Sequence, residues 1–182
     1  MAKAVIILAD GFEEIEALSV IDILRRAKID IKTAAIRDGY VESARGVRVI
    51  ADVSIDDVKL EDYAAIILPG GQPGADNLSA DQRVRDLLQR FYDADQLVCA
   101  ICAAPFILAD MGILDGKRAT CYPAYAERLV NAKYLEDPVV EDGNVITSRG
   151  PATAPDFGFK IAERMVDRRM SDTLKKAMLY ES

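Results

Sequence analysis

The segment Ala100-Ile101-Cys102-Ala103-Ala104-Pro105 places a thiol between an apolar run and the start of a helix, with Pro105 suited to that helix's first turn. A sharp strand-to-helix turn lifts a side chain out of a sheet, the geometry of a nucleophile elbow. Free N–H groups at a helix start stabilise a thiolate. Cys102 is therefore expected to ionise below the usual ~8.5 and to act as a nucleophile. A buried apolar cysteine is the bland alternative. Glu16 is the second candidate, in Gly11-Phe12-Glu13-Glu14-Ile15-Glu16 at the start of another helix. Glu13 and Glu14 suit a solvated first turn at the positive end of the helix dipole. Glu16, one turn in and flanked by Ile15 and Ala17, is expected to face the same rim as Cys102. Partial desolvation there would raise its pKa. Protonated, it would donate a hydrogen bond to a thiolate; ionised, it would serve as a general base.

Weaker signals surround this pair. Gly70-Gly71 follows an apolar run and predicts a turn with backbone N–H groups facing the rim, able to hold an anion or a developing oxyanion. Turns also use glycine for purely steric reasons. No Lys-Ser/Thr follows and no Gly-x-Gly-x-x-Gly occurs, so this is not a phosphate loop. Arg45 and Arg149 are candidates to bind an anion or a carboxylate at the rim, with surface ion pairing as the alternative. Cys99 and Cys102 form a Cys-x-x-Cys, but Cys99 falls inside the apolar run. An extended link puts the two Cα atoms roughly 10 Å apart, beyond the ~7 Å limit of a disulfide. Cys99 reads as core.

Absences narrow the chemistry further. The chain holds no histidine, which removes Ser-His-Asp and Cys-His pairs and every His-ligated metal site. With Cys121 as the one remaining sulfur, neither a metal nor a cofactor is expected. A net charge of −7 without a basic run argues against gripping nucleic acid or an anionic membrane. No stretch approaches the ~20 apolar residues of a membrane span. Three cysteines, an odd and sparse set, favour a reducing compartment, taken as the cytoplasm. The first apolar run follows a single lysine and is followed at once by acidic residues, which reads as a first strand rather than a leader.

Elements that could position these side chains are legible from pattern. Apolar, unalternating runs at residues 4–9, 31–36, 64–68, 97–100 and 145–147 suit strands covered on both faces. Helices are predicted over about 13–27, from Ser79 with Gln82 completing a capping box, and over about 152–166. Residues 40–50 read as a hairpin arm added to the sheet, and 141–144 as the turn of a second hairpin. With 182 residues, 51% of them hydrophobic, and no linker or repeat, residues 1–182 read as one α/β domain with a mostly parallel, doubly wound sheet. Ligands bind such sheets outside the carboxyl ends of the strands.

Four ordered motifs, Gly11-Phe12-Glu13-Glu14-Ile15-Glu16, Leu68-Pro69-Gly70-Gly71, Ala100-Ile101-Cys102-Ala103-Ala104-Pro105 and Thr147-Ser148-Arg149-Gly150-Pro151, closely resemble the ThiJ/PfpI superfamily. The likeness covers essentially the whole chain and is nearest to the Parkinson-associated deglycase branch with its bacterial relatives. It implies a flavodoxin-like three-layer sandwich and a homodimer. It also implies Cys102 as nucleophile, Glu16 as the acid on its thiol, and the N–H groups of Gly71 and Ala103 as oxyanion donors. The implied activity is cofactor-independent: a glyoxalase- or deglycase-type reaction on a small reactive carbonyl or a glycated group, with methylglyoxal converted to lactate. The alternative is a cysteine-based oxidative-stress sensor or a chaperone-like protective protein with little turnover. One departure matters, because relatives often carry histidine where Thr120-Cys121-Tyr122-Pro123 has Tyr122. A phenol is a poor general base at neutral pH, so Cys-His peptidase and amidotransferase activities are not expected.

Overall fold

The computed structural model describes residues 2–180. In chain order, β1 (Lys3–Leu8) leads to α1 (Glu14–Arg26), then β2 (Asp30–Ala35), β3 (Tyr40–Glu42), β4 (Arg48–Ile50) and β5 (Val53–Ser54). Next come β6 (Ala65–Leu68), α2 (Gly74–Ala80), α3 (Gln82–Asp93), β7 (Leu97–Ile101) and α4 (Pro105–Asp110). The chain continues through β8 (Arg118–Ala119), β9 (Lys133–Tyr134), β10 (Val139–Asp142), β11 (Val145–Ser148), α5 (Ala154–Met165) and α6 (Arg168–Ala177). The central sheet has seven strands in the order β10-β11-β7-β6-β1-β2-β5. All its pairings are parallel except β10 with β11, the expected edge hairpin.

The buried strands carry apolar side chains on both faces, because helices cover both faces. Val5, Ile7, Ile66 and Val98 pack with Leu88, Phe91, Phe106 and Ile107 from α3 and α4. Ile6, Leu8, Ile67 and Cys99 pack with Val20, Leu24, Phe157 and Ile161 from α1 and α5. These are the three layers of a flavodoxin-like sandwich. At Gly158 on α5 an added Cβ would lie 3.0 Å from Ile23 on α1, so the missing side chain lets the two helices approach closely. Among the described residues no helix is long and apolar enough to cross a membrane.

Two local expectations are corrected. The 40–50 hairpin does not extend the sheet; β3 and β4 form a separate two-stranded ribbon. Its free backbone groups go to the loop after β1: Gly11 N–H donates to Glu42 C=O (2.7 Å), and the Asp10 carboxylate accepts from Glu42 N–H (2.9 Å). The sheet edge beside β2 is taken by β5 instead. Ser79 does not open the amphipathic helix either, since it lies inside α2. Asp81 caps α3, its carboxylate accepting from Arg83 N–H at 2.9 Å.

Candidate active site

The loops following β1, β6, β7 and β11 meet at the carboxyl edge of the sheet, stitched by backbone bonds. Glu13 N–H donates to Gly70 C=O at 2.9 Å, and Cys102 N–H donates to Ser148 C=O at 2.9 Å. Tyr122 N–H donates to Cys102 C=O at 2.8 Å, bringing the segment after β8 to the same place. Cys102 has φ 65°. Three other described non-glycine residues have positive φ, and Lys28, Asp95 and Leu179 each follow a helix C-cap, where a left-handed residue is ordinary. Cys102 takes that conformation directly after a strand instead, at a cost on the order of 1 kcal/mol. The two backbone bonds to Ser148 and Tyr122 hold it there. The thiol is half-buried, whereas Cys99 and Cys121 are buried and all three cysteines are free.

Glu16 is fully buried on the first turn of α1. Its Oε2 accepts from Gly70 N–H at 2.8 Å, and its own N–H donates to the Glu13 carboxylate at 2.8 Å. Among the described residues its buried Oε1 has no hydrogen-bond partner, while the Cys102 thiol is close enough to affect the carboxyl's titration. Burial pushes the Glu16 carboxyl up to about 7, and the Glu13 charge adds to this, while the thiol and Gly70 N–H pull the other way. That agrees with the expected direction.

Cys102 goes against its expected direction. Burial holds the thiol well above its ordinary range, reinforced by the charge and proximity of the Glu16 carboxyl; Ala103 and Gly71 N–H oppose this. The expectation of a lowered pKa assumed a helix start as the dominant neighbour. Here α4 begins only at Pro105, and a carboxylate shares the pocket. The carboxyl therefore ionises before the thiol, and above about pH 7 the pair carries one negative charge, on the Glu16 side. Cys99 is also raised, chiefly by burial among the apolar side chains of the α1/α5 layer, as befits a core residue. Burial pushes Cys121 up to about 11, with Arg149 pulling it down.

Gly70 and Gly71 are required by close approach. A Cβ on Gly70 would lie 2.6 Å from Cys102 Cβ and 2.7 Å from Glu16 Oε2. Gly71 has φ 90°, and a Cβ there would collide with the backbone of Gly11 and Glu13. Tyr122 is 46% exposed and shares a shallow concavity of about 310 Å³ with Pro123, Arg149, Gly150 and Pro151. Arg149 donates to Glu136 C=O at 3.3 Å. Arg45 is not brought to the thiol by any contact: it sits in the β3–β4 turn and its guanidinium donates to Ala44 C=O at 3.3 Å. A hollow of about 390 Å³, between α5, α6 and β10, lies apart from the cysteine. Among the described residues no group of three His, Cys, Asp or Glu could hold a metal ion. Sequence reasoning missed Asp10, which anchors the ribbon through Glu42 N–H and Arg37, and the capping role of Glu13. The Glu13-x-x-Glu16 spacing, a carboxylate three residues before another at a helix start, was the available signal.

A mostly parallel sheet with a left-handed cysteine directly after the inner strand β7 and a buried glutamate beside it defines a class of nucleophile-elbow proteins. The chain belongs to the DJ-1/PfpI family, whose description matches residues 2–164. It is 40% identical over 180 residues to protein dj-1beta of Drosophila melanogaster, covering 97% of this chain and 96% of that one. The crystal structure of Drosophila melanogaster DJ-1beta superposes with a TM-score of 0.95 at 38% identity, covering 100% and 99% of the two chains. Glutathione-independent glyoxalase DJR-1.2 of Caenorhabditis elegans is 35% identical, with 91% and 89% covered. Toxoplasma gondii DJ-1, in an oxidized form, superposes with a TM-score of 0.96 at 33% identity, both chains fully covered. The chain spans 40% of the length of Arabidopsis thaliana DJ-1 homolog B, to which it is 37% identical over 94% of its own residues.

Proposed function

We propose that the protein is a cofactor-independent, cysteine-dependent enzyme that converts 2-oxoaldehydes to 2-hydroxy acids, methylglyoxal to lactate, and acts on glycated groups by the same chemistry. The observation that carries this reading is the buried Glu16 carboxyl set against the Cys102 thiol. Glu16 gives up its proton at lower pH than the thiol, so above about pH 7 it is the ionised partner. As sulfur adds to the aldehyde carbon, the thiol proton passes to Glu16, the C=O π bond opens to an oxyanion, and Glu16 returns that proton to the oxygen, so that a hemithioacetal forms and Glu16 is again ionised. The N–H groups of Gly71 and Ala103, which already favour negative charge on the sulfur, are the donors for the oxyanion. Glu16 then carries a proton from the hemithioacetal carbon to the neighbouring carbonyl carbon through an enediol, leaving a thioester of the 2-hydroxy acid. Water cleaves the thioester, returning the thiol and releasing the acid, so the net change is addition of one water. Similarity to DJR-1.2, a named glyoxalase, supports the reaction class. We take residues 1–182 to act as a single domain, as a cytoplasmic homodimer.

The test is methylglyoxal consumption with lactate formation by purified protein. Loss of activity in both Cys102→Ser and Glu16→Gln is expected; consumption at the wild-type rate by Cys102→Ser would overturn the reading. A second reading, oxidative-stress sensing, is favoured by the likeness to an oxidized Toxoplasma gondii structure. Two equivalents of peroxide would convert the Cys102 thiol to sulfinate with loss of two waters. A protonated Glu16 would donate a hydrogen bond to that sulfinate.

A further inference from the structure

Three hydrogen bonds close a ring around the start of α1. Glu13 N–H donates to Gly70 C=O at 2.9 Å, Gly70 N–H donates to Glu16 Oε2 at 2.8 Å, and Glu16 N–H donates to Glu13 Oε2 at 2.8 Å. Each residue of the ring does two jobs. The Gly70 contacts fix where the Glu16 carboxyl sits, and Gly70 leads directly into the Gly71 N–H that faces the sulfur. Glu13 joins both halves, because its backbone holds the glycine turn and its side chain holds the helix turn that carries Glu16. A solvated helix-start carboxylate needs only the second of these contacts. Here the cap is threaded into the site.

We infer that Glu13 is a positioning residue for the reaction: its carboxylate orients Glu16 through the ring and holds the Glu16 carboxyl in place against the Cys102 thiol. The inference rests on the proposed role of Glu16 as proton carrier. The groups that face the Glu16 carboxyl are few. From α1's own cap comes the Glu13 carboxylate, whose negative charge opposes ionisation; from the β7–α4 link comes the Cys102 thiol; from the β6–α2 loop comes the Gly70 N–H. Of these, Glu13 is the one that can be altered without touching the thiol or the glycine turn. A glutamine at position 13 keeps an oxygen to cap Glu16 N–H and discards the charge. An alanine discards both.

The experiment follows the pH dependence of Cys102 alkylation by iodoacetamide, and of kcat for methylglyoxal, in wild type, Glu13→Gln and Glu13→Ala. Alkylation reads the Cys102–Glu16 pair without requiring turnover, so the inference and the proposed reaction can fail separately. Glu16 is needed ionised, so kcat rises with pH through its titration, and removing a neighbouring negative charge moves that rise to lower pH. The expected shift in Glu13→Gln is roughly half a unit or more in both profiles, with kcat at its plateau nearly kept. In Glu13→Ala the plateau kcat is expected to fall by about tenfold with little change in KM, as Glu16 loses its alignment. Alkylation and kcat profiles of Glu13→Gln superimposing on wild type would overturn the inference. So would equal plateau kcat in wild type and Glu13→Ala. If wild type alkylates with the expected profile shift in Glu13→Gln yet does not turn over methylglyoxal, the role of Glu13 stands and the reaction assignment falls.

Discussion

Replacing Gly70 by alanine adds one methyl group at the tightest point of the site. The new Cβ would sit 2.6 Å from Cys102 Cβ, 2.7 Å from Glu16 Oε2 and 3.0 Å from Ile101 C=O. Carbon atoms rest at about 3.5–4.0 Å, so the cysteine side must retreat by roughly 1 Å. Glu16 Oε2 lies at the far end of a side chain and can swing, but Cys102 Cβ is fixed by a backbone bonded to Ser148 and Tyr122. The methyl therefore opens the gap between thiol and carboxyl. Overpacking of this kind costs about 1–3 kcal/mol, which lowers Tm by roughly 2–10 °C in a chain of this size. A displacement near 1 Å at reacting groups costs activity on the order of 100-fold. The assay pairs thermal unfolding with methylglyoxal turnover at a temperature where the variant stays folded. Wild-type turnover in a folded Gly70→Ala protein would refute the reasoning, because the two reacting groups would then not need the spacing seen here.

Further outcomes follow from the same geometry. Burial raises Glu16 from 4.5 to about 7 in the folded chain, so its contribution to stability is full below about pH 4.5 and is lost as pH rises through 7. The loss amounts to roughly 3 kcal/mol; urea midpoints of wild type are expected to fall between pH 5 and 8, and those of Glu16→Gln to stay nearly flat. Asp10 is lowered against burial by Glu42 N–H and then Arg37, Asp81 by Arg83 and Asp142 by Arg118, both also against burial, so their effects lie at more acid pH and leave that window clear. Tyr122→His places an imidazole on the residue whose N–H bonds Cys102 C=O; thioester hydrolysis is expected to quicken by about tenfold or more, read as kcat for lactate release. Mild peroxide is expected to add two oxygens to Cys102 in preference to the buried Cys99 and Cys121, as mass spectrometry of peptides would report.

Much of this arrangement was readable from residue order, and the exceptions share a cause. The strand runs stood out because both faces of the sheet are buried, which leaves Val5, Ile66 and Val98 in stretches without polar alternation. Cys102, Glu16 and Gly70 were placed on one rim because each follows or faces the carboxyl end of a strand. What failed was whatever depends on a distant partner. The β3–β4 ribbon leaves the sheet because Asp10 and Gly11, thirty residues upstream, take its backbone bonds. Arg45 carries a charge suited to an anion, but its place in that ribbon's turn, with its guanidinium donating to Ala44 C=O and its N–H to Ser43 Oγ, was not legible from residue order. The direction of the Cys102 shift was misjudged for the same reason: a local reading sees the helix ahead of the thiol and not the carboxylate held opposite it by Gly70.

Central to the account is that Cys102 and Glu16 behave as one titrating unit. The most direct measurement is the rate of Cys102 alkylation between about pH 5 and 10 in wild type and in Glu16→Gln. The account predicts a step near pH 7 in wild type, where the buried carboxyl ionises, and its disappearance in Glu16→Gln. Superimposable profiles for the two proteins would contradict it.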